Sequence, residues 1–160
     1  MNKESIILQI AVHLRNELQT VTDAANEARN TATHEESVPE NKYDTFALEA
    51  SYLADGLSRR VAELKSALGA YENTRFPDFT DRPIAIGAMI RVGALDTDET
   101  RLYFLGSAGG GIKVDAEGEL CQVLTATSPV GQKLLGLECG DEFQITLGAG
   151  PIEWEVLDVL

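Results

Sequence analysis

Two different rhythms of apolar residues divide the chain. From the N-terminus, Ile7, Ala11, Leu14, Leu18, Val21, Ala25, Ala28 and Ala32 recur at alternating steps of four and three. That is the spacing of a coiled-coil seam. Neither Gly nor Pro occurs from Met1 to Val38. The pattern predicts a first helix from about Glu4 to Ala32, roughly 40 Å long at the α-helical rise. Its seam side chains shrink from Ile and Leu to Ala, so a partner helix can come closer at that end. A second stripe follows, of Phe46, Ala50, Leu53, Leu57, Val61, Leu64, Leu68 and Tyr71, and it stops near Phe76-Pro77. Ser37-Val38-Pro39-Glu40 offers this second helix a start: Ser37 as cap, Glu40 three residues on, and Pro39 in the first turn. Two long helices joined by one short turn predict an antiparallel hairpin.

From Asp81 the period falls to two, or to short apolar runs. Expected strands are Ala88–Leu95, Thr100–Gly106, Gly111–Val114, Glu119–Thr125, Glu142–Leu147 and Ile152–Leu160, with turn-forming residues between them. One short helix over about Pro129–Leu135 interrupts them, capped by Ser128 and stopped by Gly136. The fold class expected is α+β, with a hairpin over residues 1–75 and a compact domain over 76–160.

Composition narrows the function. Of the 160 residues, 44% are hydrophobic and 24% charged, as in a folded protein. The formal net charge is −13, with −4 falling in residues 1–75 and −9 in 76–160. A surface this acidic repels phosphate backbones, so direct nucleic-acid binding is not expected, and any link to nucleic acid runs through a protein partner. Cys121 and Cys139 stand alone, outside any CxxC pattern, as in a reduced, cytoplasmic protein. The first apolar run is broken by His13, Arg15, Asn16 and Glu17, before a signal core or membrane span could form.

The chemistry of interest lies between the helices. In "TATHEESVPENKYDT", Thr31–Thr45, the acids Glu35, Glu36, Glu40 and Asp44 crowd together with one Lys, Lys42. Two readings stand side by side: a solvated turn with Glu40 as a capping partner, or carboxylates held out for a cation. His34 lies beside them without a second His and reads as an exposed loop residue. "SAGGG", Ser107–Gly111, lacks the Gly-Lys-Ser/Thr of a phosphate loop and reads as a hairpin turn. Neither Cys nor Ser128 has a visible base partner, so nucleophilic catalysis is not expected. Trp154, Phe104, Tyr103 and Phe143 could line a cleft, although alternation makes some of them core residues.

Three stretches resemble the GreA/GreB-type transcript cleavage factors of bacterial RNA polymerase. "SPVGQKLLGLECGDEFQI", Ser128–Ile145, looks like the family's C-terminal signature. "GAMIRVGALDTDETRLYFL" is similar to the first hairpin of its FKBP-like domain. "NEARNTATHEESVPENKYDTFALEASYLADGLSRRVAELKSAL" resembles its helical tip and second helix. The resemblance implies a coiled-coil hairpin followed by an FKBP-like domain. The hairpin of such a factor enters the polymerase's secondary channel. Acidic tip residues there help hold a polymerase-bound Mg²⁺ and orient the water that cuts backtracked RNA. Hard cations of this kind take oxygen ligands, and a second metal stabilises the attacking and leaving oxygens. Carried over, the likeness assigns the tip carboxylate to Glu40, with Glu36 or Glu35 as the second. It assigns polymerase contact to Asn41, Ser128 and Pro129.

The tip also departs from the family. An Asp is expected three residues before Glu40, and Ser37 stands there; the segment is also about four residues longer. The resemblance therefore implies an accessory factor that binds RNA polymerase at its secondary channel and modulates elongation, with cleavage stimulation following only if the altered tip still supplies two carboxylates. The alternative is a binding module whose hairpin blocks the channel without promoting cleavage, as inhibitory relatives do. No metal or cofactor of its own is expected, and the protein is expected to be a monomer with no membrane association. FKBP-like folds include prolyl isomerases, but a fold does not carry activity with it, and turnover without polymerase is not expected.

Overall fold

A computed structural model describes residues 2–36, 44–147 and 150–160. Its elements are α1 (Lys3–Glu36), α2 (Asp44–Asn73), β1 (Met89–Ala94), β2 (Thr100–Gly106), β3 (Lys113–Ala116), β4 (Glu119–Thr125), α3 (Pro129–Leu134), β5 (Glu142–Leu147) and β6 (Gly150–Val159). They form two compact units: Ala11–Glu72, and Met1–Ile10 together with Asn73–Leu160.

The first unit is helical. Arg15 Nη2 meets Glu72 Oε1, Arg60 Nη2 meets Glu17 Oε1 at 2.7 Å, and Arg29 Nη2 donates to Ser58 Oγ at 2.7 Å. Early residues of α1 thus meet late residues of α2, and the two helices run antiparallel. Exposed ion pairs such as these contribute little. Burial of Leu14, Ala25, Ala28 and Ala32 on α1, and of Ala54, Leu64, Leu68 and Tyr71 on α2, holds the pair together.

Here the seam differs from the expected stripe. Phe46 and Leu53 are 62% and 58% exposed, while Ala54 is only 7% exposed. The reason is local. Where α1 offers only Ala25, Ala28 and Ala32, a close-packed seam has room for Ala54 but not for a large side chain, which is turned to the flank. At the other end α1 extends past Ala32 to Glu36. The apolar stripe ends at Ala32, but no Gly or Pro stops the helix there. The expected start of α2 at Ser37–Glu40 lies outside the described residues.

The second unit is a six-stranded sheet in the order β3-β4-β2-β1-β6-β5. Among the described strands only β2 and β4 pair in parallel, with Phe104 opposite Val123. The register places Arg91, Leu102 and Cys121 in one row and Met89, Phe104 and Val123 in the next, on a common face. Ile6 and Ile10, from the start of α1, are buried in this unit, and Phe76 meets Phe104 edge-on at 5.6 Å. Gln9 ties the same turn to β3: its Nε2 donates to Asp115 O at 2.8 Å, and its Oε1 accepts from Asp115 N at 3.0 Å. This is why the first ten residues group with the sheet rather than with the rest of their own helix. The opposite face buries Ile90, Val92, Tyr103, Leu105, Trp154 and Val156 with Ile84, Leu134 and Ile145.

Strands β2, β4 and β5 have the expected limits. β3 begins two residues late because Gly109 and Gly111 take φ of +77° and +90°, and Ile112 N closes a turn on Gly109 O at 3.1 Å. "SAGGG" is thus part of a bonded turn: Gly111 N donates to Val123 O at 2.9 Å. The four aromatic residues do not line a cleft. Trp154 and Tyr103 are buried in the core on one face, Phe104 is buried on the other, and Phe143 packs at the edge of the first.

Candidate functional site

Two segments carry the chemistry expected from the sequence. The first is the far end of the hairpin. Glu35 and Glu36 fall in the last turn of α1, so the helix backbone itself carries them. Glu40 and Asn41 lie outside the described residues, as does the Ser37–Glu40 capping box. His34 lies one residue before the two acids on the same helix. Among the described residues, no three His, Cys, Asp or Glu side chains group as a metal site.

The second segment is α3. Ser128 has extended backbone angles and caps the helix, and its Oγ accepts from Gly131 N at 3.1 Å. The same Oγ donates to Thr125 O at 2.7 Å. The hydroxyl is therefore committed to holding the turn between β4 and α3. Pro129 follows at the first helical position, where its missing N–H costs nothing, and is exposed. Of the two residues of this segment assigned to partner contact, Pro129 is exposed, while Ser128 positions it. Gln132 and Lys133 are exposed beside it, and Leu134 is fully buried. The helix ends at Leu134 with Leu135 as its C-cap, and Gly136 follows with φ of +86° and an N–H that donates to Ile84 O at 2.8 Å.

One residue of this segment was not singled out from the sequence. A Cβ on Gly131 would lie 2.0 Å from Thr125 O. No real side chain occupies that space, so α3 can approach β4 only with Gly at this position. The signal was the Ser-Pro-x-Gly spacing, in which the cap's partner is itself a glycine.

Other polar groups of the sheet unit are structural. Arg91 forms a two-pronged pair with Glu119, both contacts 2.7 Å, across β2. Arg101 lies over the Trp154 ring at 4.7 Å and bonds Glu99. Both cysteines are free. Cys121 is buried, and burial together with the Glu119 charge pushes its thiol up to about 12. It is no nucleophile at neutral pH. Cys139 is exposed and its Sγ donates to Leu157 O at 3.2 Å. Among the described residues, no helix is long and apolar enough to cross a membrane.

The family described as "Transcription elongation factor, GreA/GreB, C-term" matches residues 80–160, the whole sheet from β1 to β6 with α3. Relatives agree over more of the chain. The transcription elongation factor GreA of Acinetobacter baumannii is 27% identical over 150 residues, covering 92% of this chain and 86% of that protein. The GreA of Beijerinckia indica is 26% identical over 121 residues, covering 75% and 71%. The crystal structure of Thermus aquaticus Gfh1 covers 92% of this chain and 91% of its own, with 17% identity and a TM-score of 0.42. The chain belongs to the GreA/GreB family of transcription elongation factors. It is accordingly an accessory factor and not itself an enzyme.

Proposed function

We propose that this elongation factor binds RNA polymerase at its secondary channel and modulates elongation there. The observation that carries the reading is the combination on one chain of a family-matched sheet domain with an antiparallel helical hairpin. The sheet domain supplies a docking segment, with Pro129 exposed on a helix start fixed by Ser128. The hairpin supplies reach. A helix the length of α1 spans about 50 Å, and acids come at its far end.

Cleavage stimulation is the finer part of the proposal. Glu35, Glu36 and Glu40 are hard oxygen donors of the kind Mg²⁺ takes. The ion would be polymerase's, held with two of these carboxylates against the substrate phosphate. A second reading is favoured by one specific observation: Ser37 stands where the family tip has an Asp. On that reading the hairpin occupies the channel without promoting cleavage.

The test is transcript shortening in stalled, backtracked polymerase complexes. Cleavage by the wild type that is lost with Glu40→Ala supports the active tip. No shortening, with undiminished competition against a cleavage-competent GreA, supports the blocking hairpin. Failure to bind polymerase at low salt would sink both.

A further inference from the structure

The large side chains turned out of the hairpin seam leave an open groove along it. The groove has a volume of about 410 Å³ and lies wholly within the helical unit. Its small apolar residues are Ala24, Ala28 and Ala50, its large ones Phe46, Leu53 and Leu57, and Glu27 and Glu49 also line it. Phe46, Ala50, Leu53 and Leu57 come at steps of four, three and four along α2. Ala24, Ala28 and Thr31 come at steps of four and three along α1. The lining therefore repeats along both helices at the pitch of a third helix laid against them.

Leu48 and Tyr52 of α2 are exposed as well, but Phe46 and Leu53 share one groove with Leu57, and a contiguous apolar patch of this kind marks a docking surface. The charges beside it say what docks there. Neither Glu27 nor Glu49 forms an ion pair with a described residue. By contrast the described arginines nearby are engaged: Arg29 with Ser58, Arg59 with Asp55, and Arg60 with Glu17 and Glu63. The groove thus offers apolar contact with negative charge at its sides that no described cation neutralises. A second copy of this chain, at −13, would bring like charge to like charge.

We infer that this groove receives an amphipathic helix of another protein, one that presents large aliphatic side chains flanked by Lys or Arg. Its aliphatic residues pack between Phe46 and Leu53 over the alanines, and its cations pair with Glu27 and Glu49. The inference does not depend on polymerase supplying the helix, and its test uses none.

Isotope-labelled full-length protein is titrated with a synthetic amphipathic helix made only of Leu and Lys, and amide shifts are read by NMR. The expected shifts are confined to residues 24–31 and 46–57. The double variant Phe46→Ser, Leu53→Ser weakens binding about tenfold or more, equivalent to roughly 1.4 kcal/mol. Glu27→Gln with Glu49→Gln also weakens it and flattens its salt dependence. Glu153→Gln with Glu155→Gln removes the same charge from β6 and leaves binding unchanged. The proposal is overturned if this control weakens binding equally, or if shifts spread over acidic residues of both units, because attraction is then bulk charge alone. It is overturned too if a Leu/Glu helix binds as well as the Leu/Lys helix. A dimer seen by sedimentation and abolished by Phe46→Ser would make the occupant a second copy and would also overturn it.

Discussion

At the scale of single residues, α3 hangs on two small groups. Gly131 admits no Cβ because Thr125 O occupies the space, and a backbone oxygen cannot swing aside as a flexible side chain would. Gly131→Ala should cost roughly 1–3 kcal/mol, as overpacking does, and shift the urea midpoint accordingly. Ser128→Ala loses the cap and should cost about 1 kcal/mol. Pro129→Ala should leave the midpoint unmoved while weakening polymerase binding. Equal midpoints for Gly131→Ala and wild type would refute the packing argument. Cys121 gives a pH signature. Its folded thiol stays neutral well above the ordinary value of 9.0, up to about 12. The unfolded chain releases that proton first, so this contribution is intact below pH 9 and is lost as pH rises towards 12. The slope approaches about 1.4 kcal/mol per pH unit. The stability difference between wild type and Cys121→Ala should therefore narrow over that interval. In native protein below it, only Cys139 should alkylate quickly.

At the scale of elements, legibility followed how sharply the chain marks its own ends. β2, β4 and β5 could be read to the residue because turn formers bracket alternating apolar runs. α3 could be read to within a residue because its cap, Ser128, and the left-handed Gly136 just past its end are chemically distinctive. β3 slipped because three successive glycines do not show which of them turns. The seam of α2 was misread at Phe46 and Leu53 because a period shows which residues share a face, not how close two helices come. Alanine on α1 decides that distance, and it selects Ala54 over its larger neighbour. Substitution tests the register directly. Leu64→Ala, at a buried seam position, should cost about 2–5 kcal/mol. Leu53→Ala should stay within about 0.5 kcal/mol. Helical unfolding followed by circular dichroism distinguishes the two, and comparable losses would return Leu53 to the seam. Of the candidate site, the geometry of α3 is legible because local capping chemistry defines it. The tip was legible only as a collection of acids, since bringing Glu36 and Glu40 to one point depends on backbone geometry that spacing does not encode.

At the scale of the molecule, the parting between hairpin and sheet does not follow the change of period in the sequence. The coiled-coil spacing runs unbroken through Ile7 and Ala11, and that continuity placed residues 1–75 together. Yet Ile6 and Ile10 are buried with the sheet unit, and Gln9 closes two hydrogen bonds on Asp115 of β3. Lys3 adds a third tie: its Nζ donates to Pro77 O at 2.7 Å and lies over the Phe79 ring. One helix thus serves two cores, its first three turns as a missing layer of the sheet domain. A fragment of residues 76–160 should therefore be less stable than the same sheet in the full chain, by roughly 1.5–3 kcal/mol for each isoleucine it no longer buries. It should also bind an apolar dye through Met89, Leu102 and Phe104, which share the uncovered face. In the full chain, Ile10→Ala should speed amide exchange in β2, β3 and β4 while leaving the far end of the hairpin unchanged. If the fragment melts with the full-length sheet and its amides exchange no faster, the first ten residues are passengers, and the boundary belongs where the period changes.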